Sequence, residues 1–158
     1  MSTKRSPQRH ALERFLQAAG ELLGERLVRE PNRLQKLSRD QSIYRRFPAA
    51  AAYPRDQEEL SRLATLAAEN GVALTLRGGG SGTGGAALSD QVVLLLKGGV
   101  WEREPEVLDD GRRVAVTPGI SYDRLAEALA PMGRTIPADP SSSAISTIGG
   151  NIATRASG

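Results

Sequence analysis

Nine residues from Arg77 to Gly85 read RGGGSGTGG and carry six glycines. Glycine in regular structure costs about 0.5–1 kcal/mol of backbone entropy relative to alanine, so a dense run is expected where φ is positive or the backbone approaches another group closely. We therefore predict that this loop binds a ligand. Successive backbone N–H groups would form a nest for an anion, with the hydroxyls of Ser81 and Thr83 as further donors. The alternative is a long flexible hairpin loop.

The run also satisfies the dinucleotide pattern G-x-G-x-x-G over residues 80–85. That turn requires a helix to begin at the loop, so that its first amides face the pyrophosphate. Here the next predicted element is the strand VVLLLK at 92–97, which disfavours a Rossmann turn. The run also lacks the Gly-Lys-Ser/Thr ending of nucleotide-hydrolysing loops, because Lys97 lies across that strand. We interpret the run as an anion nest between two strands.

A second segment of small residues, DPSSSAISTIGGNIAT, spans residues 139–154. It combines hydroxyl side chains with Pro140 and the pair Gly149-Gly150, which suits a backbone brought flat against a planar ligand. The alternative is a helix capped by Ser or Thr, with the glycine pair in a packing contact.

Several kinds of site are excluded by residue counts. The chain has no cysteine and one histidine, His10, in the polar N-terminal segment. Disulfides, thiolate metal sites, His-based metal clusters and a Ser-His-Asp triad therefore cannot be built from it. We predict no metal site, and no catalytic acid or base is assignable.

Charge and hydropathy narrow the choice of partners. Residues 1–46 carry eleven Lys/Arg and five Asp/Glu. We interpret this basic arm as a solvated helical lead-in and expect no nucleic-acid binding, because few aromatic side chains are available for stacking. The longest apolar run, VVLLL at 92–96, is too short for a membrane span, and the N-terminus lacks a secretory signal. We predict a cytoplasmic protein without a membrane span.

The elements that must position these loops are predicted from periodicity and capping signals. Apolar residues at helical spacing predict a helix over residues 8–23, and Leu34 and Leu37 predict another turn or two. Asp56 and Glu59 have the spacing of a reciprocal helix cap, and Gly71 supplies the stop of that helix. Strands are predicted at 49–53, 72–76, 92–97 and 113–119.

One more helix is predicted before the second small-residue segment. It begins at Ser121, buries Leu125, Leu129 and Met132, and ends at Gly133. The chain then ends on ATRASG, with no predicted element to close it. We therefore expect residues 1–158 to be the N-terminal part of a longer protein.

Four stretches, in this order and spacing, carry a family resemblance: YPRDQEEL, LRGGGSGTGGAAL, VAVTPGISYDRL and IPADPSSSAISTIGGNIATRASG. Together they resemble the N-terminal FAD-binding domain of the FAD-linked oxidases, the vanillyl-alcohol oxidase or p-cresol methylhydroxylase type. The branch that they most resemble is the D-lactate and glycolate dehydrogenases, although Arg155 stands where many relatives of that branch carry Asn.

The resemblance implies an α+β fold, the two-subdomain PCMH-type fold, here incomplete at the C-terminus. The resemblance covers roughly residues 38–158 and implies an FAD-binding domain at 48–158, whereas the basic helical lead-in at 1–47 is predicted from charge and helical spacing. FAD would be bound non-covalently, because neither cysteine nor a suitably placed histidine is present. The implied cofactor-binding residues are Gly78, Gly79, Gly80, Ser81, Gly82, Thr83, Pro118, Gly119, Pro140, Ser141, Ser146, Thr147, Gly149, Gly150, Asn151 and Ala153.

The implied function is oxidation of a 2-hydroxy acid of the D-lactate, glycolate or D-2-hydroxyglutarate class, by hydride transfer to FAD. The substrate would bind against a missing C-terminal domain, and the electron acceptor is not specified. Two alternatives remain open. One is a transferase similar to alkyldihydroxyacetonephosphate synthase, suggested by TRASG, and the other is an inactive binding fragment.

Overall fold

The computed structural model describes residues 5–157. Residues 1–4 and 158, the outer ends of the two predicted domains, lie outside this range. The helices are α1 (Arg5–Leu23), α2 (Pro31–Leu37), α3 (Gln57–Asn70), α4 (Tyr122–Leu129) and α5 (Ile148–Thr154). The strands are β1 (Leu27–Val28), β2 (Ala50–Ala52), β3 (Leu74–Arg77), β4 (Val92–Leu95), β5 (Glu106–Leu108) and β6 (Arg113–Ala115).

The first sheet has the strand order β1-β2-β4-β3, and helices pack on both of its faces. β2, β4 and β3 are parallel, and β1 pairs antiparallel with β2. Successive side chains of a strand point to opposite faces. Val92 and Leu94 accordingly pack in the apolar cluster that contains α1 and α3 residues, whereas Val93 and Leu95 pack with Leu34 of α2. Burial on both faces explains why these strands read as unbroken apolar runs.

The helices at 8–23 and after Asp56 are confirmed, with one difference at the start of α3. Asp56 Oδ1 accepts a hydrogen bond from the backbone N–H of Glu59 at 2.9 Å, as predicted. The Glu59 carboxylate accepts from the N–H of Arg55 at 2.8 Å and from the Arg26 guanidinium, so the reciprocal half of the cap is not formed. Arg26 is 33 residues away, beyond the reach of a local capping rule. Gly71 ends α3 with φ +61°, as predicted.

The second half of the chain has a separate apolar cluster. β5 and β6 form an antiparallel hairpin beside α4 and α5. β5 was not predicted, and the strand predicted at 113–119 ends at Ala115. Met132 is 49% exposed, contrary to the prediction, because α4 ends at Leu129 and the chain continues as a 3₁₀ turn that breaks the helical spacing. The cluster is formed by Ile120, Tyr122, Leu125, Leu129 and Ile148.

The two halves are joined at Trp101. Its indole Nε1–H donates to the carbonyl of Pro54 at 2.7 Å, and its own carbonyl accepts from the N–H of Gly119 at 2.8 Å. A Cβ at Gly119 would lie 2.6 Å from the carbonyl oxygens of both Leu96 and Trp101, so only glycine allows this approach. The fold is α+β and consists of two subdomains in close contact.

Candidate functional site

The glycine run leaves the carboxyl end of β3, and the chain returns to the start of β4. Because β3 and β4 pair in parallel, from Leu74↔Val92 to Arg77↔Leu95, residues 78–91 form a crossover connection and not a hairpin. Gly80 and Gly85 have φ of +71° and +75°, in the left-handed region that favours glycine. The run is therefore a loop with defined left-handed turns that follows the edge strand β3.

The first two glycines of the run contact the second small-residue segment. A Cβ at Gly79 would overlap the carbonyl group of Ile145, and a Cβ at Gly78 would overlap the Thr147 hydroxyl. The two loops, more than sixty residues apart in sequence, thus approach backbone to backbone. Close approach within the protein accounts for these two glycines.

The second segment folds as a capped helix, the alternative left open above. Thr147 is the N-cap of α5, and its Oγ1 accepts from the N–H of Gly150 at 3.3 Å. Gly149 donates to the carbonyl of Pro118 at 2.9 Å, and a Cβ there would lie 2.8 Å from the Cβ of Pro118. The sequence left this helix open as an alternative and did not favour it, because a glycine pair in the first turn has low helix propensity.

The two loops line one cleft of about 560 Å³. Small side chains and exposed backbone form most of its wall. The predicted site residues that line it are Gly78, Gly79, Gly80, Ser81, Gly82, Thr83, Pro140, Thr147, Gly150, Asn151 and Ala153. A larger groove of about 750 Å³ between α1 and α3 is lined mainly by charged side chains and contains none of the predicted residues.

The other predicted residues lie elsewhere around this cleft. Gly119 lines an adjoining cavity of about 430 Å³, which shares Gly78, Gly79 and Thr147 with the cleft. Pro118 and Gly149 contact each other. Ser146 is buried, with 1% of its surface exposed, and Ser141 is exposed beside the cleft-lining Pro140.

Sequence reasoning missed several residues that line the cleft. Gly84, Ala86 and Ala87 continue the run of small residues, a signal that was available in the sequence. Thr154 follows Gly150 by four positions and therefore lies on the same face of α5. The missed residues are Leu76, Gly84, Ala86, Ala87, Ser142, Thr154 and Ala156.

The glycine loop offers hydrogen-bond donors and open space. Among the described residues, no backbone acceptor is hydrogen-bonded to an N–H group of residues 79–84. A Cβ at Gly82 or Gly84 would meet no described atom within 4 Å, and both glycines line the cleft. Such a wall is suited to an anionic ligand that comes close to the backbone.

Two further observations concern residues 5–157 as a whole. In this range, no helix is both long and apolar enough to cross a membrane. No group of three or more His, Asp or Glu side chains in this range could hold a metal ion.

Sequence comparison identifies a family and its relatives. A family profile described as "FAD binding domain" matches residues 48–158. D-2-hydroxyglutarate dehydrogenase of Pseudomonas putida is 41% identical over 125 residues, which cover 77% of this chain and 12% of that protein. Glycolate oxidase subunit GlcD of Escherichia coli K12 is 34% identical over 120 residues, which cover 74% of this chain and 23% of that protein. The chain thus matches less than a quarter of the length of either relative.

Structure comparison finds the same fold in flavoproteins. Alkyldihydroxyacetonephosphate synthase matches with a TM-score of 0.73 and 25% identity, over 92% of this chain and 30% of that one. p-Cresol methylhydroxylase matches with a TM-score of 0.76 and 19% identity, over 93% of this chain and 30% of that one. The second likeness concerns the fold alone.

Proposed function

This chain belongs to the FAD-binding domains of the FAD-linked oxidase family, and we propose that it is the cofactor-binding portion of an oxidoreductase that oxidises a 2-hydroxy acid. The observation that carries the proposal is the shared cleft. The loop after β3 and the segment around Thr147 line it together, although they are distant in sequence. Ligand sites of mixed α/β folds commonly lie outside the carboxyl ends of parallel strands, where this cleft is.

The residues of the cleft fit FAD. The N–H groups of residues 79–84 and the hydroxyls of Ser81 and Thr83 would hold the diphosphate. Gly150, which has no side chain, and the short side chains of Asn151 and Ala153 would leave room for a flat ring system. The absence of a side chain at Gly82 keeps the wall open. Bound FAD supplies the electron-accepting chemistry, and the protein binds and orients it.

We propose that FAD is held non-covalently. The chain contains no cysteine, and its one histidine, His10, is an exposed residue of α1. His10 lines a surface groove with Glu13, Arg14, Gln17 and Arg29, away from the cleft-lining loops.

The proposed substrate class follows from the names of the relatives, a dehydrogenase of D-2-hydroxyglutarate and a glycolate oxidase subunit. Both names denote acids with a hydroxyl on the carbon beside the carboxylate. Because this chain matches 12% and 23% of these proteins, we propose that substrate-binding groups and the contact with an electron acceptor come from polypeptide outside residues 1–158.

The first test is FAD binding by the 158-residue chain, measured by equilibrium dialysis. We expect near-stoichiometric binding that is reversed by unfolding in urea, as non-covalent attachment requires. Failure to bind FAD would contradict the cofactor proposal and would favour the inactive fragment.

The second test uses the product of the gene that encodes this chain, expressed to its own stop codon. We expect anaerobic D-2-hydroxyglutarate, D-lactate or glycolate to bleach the flavin absorbance, with the L-enantiomers of the first two acids as controls. A protein that holds FAD but is bleached by none of these acids would contradict the oxidase proposal and favour the transferase alternative.

A further inference from the structure

Arg77 is the last residue of β3 and immediately precedes the glycine run. Its half-buried side chain donates two hydrogen bonds to backbone carbonyls. Nη1 donates to Ala87 at 3.3 Å, where the loop returns toward β4, and Nη2 donates to Arg39 at 2.8 Å, in the segment that follows α2. One guanidinium thus connects both ends of the glycine loop with a third part of the chain.

The same guanidinium lies against the left-handed turn at Gly80. A Cβ at Gly80 would lie 2.7 Å from Arg77 Cζ, so a side chain at this position would displace the guanidinium. The φ of +71° independently favours glycine at position 80. Gly80 also lines the cleft. Arg77 does not line the cleft itself but lines the adjoining cavity together with Gly78 and Gly79.

The charge of Arg77 has no direct counterion among the described residues. None of the ion pairs within residues 5–157 includes it. Burial lowers the pKa of Arg77, and the negative charge of Asp40 opposes that change. A guanidinium remains protonated at neutral pH, so a fixed positive charge lies next to Gly80 of the glycine loop.

We propose that Arg77 is a positioning residue for the FAD diphosphate. It holds Gly80 and the return of the loop at Ala87 so that the backbone N–H groups face the anion, and it adds a positive charge beside the loop. This inference rests on the proposed function, because it concerns how the same cleft holds FAD. The Arg77 side chain would therefore share the binding of the diphosphate with the backbone N–H groups of the glycine loop.

The test compares ligands with and without the diphosphate on the 158-residue chain. FAD, ADP and riboflavin are titrated against the parent, Arg77→Gln and Arg77→Lys. Loss of the charge and of its hydrogen bonds is expected to weaken FAD and ADP binding by about tenfold or more in Arg77→Gln, while riboflavin affinity changes little. Arg77→Lys is expected to lose less, because it keeps the charge. The salt dependence of ADP binding should also decrease in Arg77→Gln.

Arg26→Gln is the matched control, because Arg26 is also partly buried and donates to a backbone carbonyl, that of Tyr53 at 3.2 Å. It is expected to lower the thermal midpoint without changing the ratio of FAD to riboflavin affinity. Equal loss for riboflavin and FAD in Arg77→Gln, or unchanged FAD affinity, would overturn the inference. Should Arg77→Gln fail to fold, the affinities of Arg77→Lys for FAD and riboflavin are compared instead, and an equal loss for both ligands would again overturn the inference. A parent chain that does not bind FAD would instead refute the proposed function.

Discussion

Individual glycines of the run RGGGSGTGG have different physical roles. Gly79 allows the backbone to approach the carbonyl of Ile145, and Gly80 provides a left-handed turn beside Arg77. Gly82 contacts no described atom in the direction of a Cβ and lines the cleft. One composition signal therefore covers a packing role, a conformational role and, on the proposed function, a ligand-binding role.

Gly79→Ala is expected to destabilise the ligand-free chain, because the added methyl group would overlap the backbone of Ile145. Overpacking of this kind costs roughly 1–3 kcal/mol. Urea unfolding followed by circular dichroism measures the change.

Gly82→Ala is the matched control at a glycine with open space. Its stability should stay within about 0.5 kcal/mol of the parent. FAD affinity should nevertheless fall, because the methyl group would narrow the cleft. Equal losses of stability in the two variants would contradict the division of roles.

At the scale of elements, the carboxylate of Glu59 connects the start of α3 to Arg26, which directly precedes β1. Glu59 is 4% exposed and contacts the Arg26 guanidinium, the Arg55 N–H and the Arg55 side chain. Hydrogen bonding from Arg26 lowers the pKa of Glu59 from 4.5 to about 2, against the opposing effect of burial. The start of α3 is therefore held by ionic contacts as well as by the Asp56 cap.

Glu59→Gln is expected to reduce stability at neutral pH by roughly 1–3 kcal/mol, because it weakens a charged hydrogen bond at a buried position. A lowered folded-state pKa stabilises the fold fully above pH 4.5, and this contribution is lost as the pH falls toward about 2. The stability difference between parent and variant, measured by urea unfolding, should decline over that window.

Glu58→Gln serves as the control, because Glu58 is exposed on the same helix and lies 3.9 Å from Arg62. An exposed pair of this kind contributes little, so its stability should remain within about 0.5 kcal/mol of the parent at each pH. If the difference in stability between the parent and Glu59→Gln stayed constant from pH 7 to pH 2, the ionised Glu59 would not be the source of this stability.

At the scale of the whole molecule, the cleft depends on how the two halves are held together. The glycine run belongs to the first sheet and the Thr147 segment belongs to the second half. Trp101, which is 8% exposed, bridges them through its hydrogen bond to Pro54. The geometry of the cleft is therefore a property of the interface between the subdomains.

Trp101→Phe should lower stability by about 1–3 kcal/mol, because the Pro54 carbonyl loses its buried donor. It should also weaken FAD binding, since the two lining loops would be held less firmly. Circular dichroism and equilibrium dialysis measure these effects. Tyr122→Phe removes a donor to the Ile136 carbonyl within one half and should not weaken FAD binding. Equal effects of Trp101→Phe and Tyr122→Phe on FAD affinity would contradict the role of Trp101 in holding the two lining loops together.

Much of the fold could be predicted because its signals are local. The start of α3 at Asp56, the stop at Gly71 and the buried strands at 50–52 and 92–95 follow from capping and hydrophobic patterns within a few residues. The signals for α5 and β5 are weaker. The cap of α5 at Thr147 is followed by a glycine pair of low helix propensity, and β5 is a partly exposed stretch without the unbroken apolar run of β2 or β4.

The sequence by itself determined where the glycine loop lies, which elements flank it and, through the resemblance, which cofactor it is built for. The tertiary structure decided that β3 and β4 are parallel, that Gly79 meets Ile145, and that Arg77 reaches Ala87 and Arg39. Caps and periodicity act over one helical turn or a few strand residues. Contacts between residues tens of positions apart depend on how sheet and helices pack, and no short stretch of sequence specifies that.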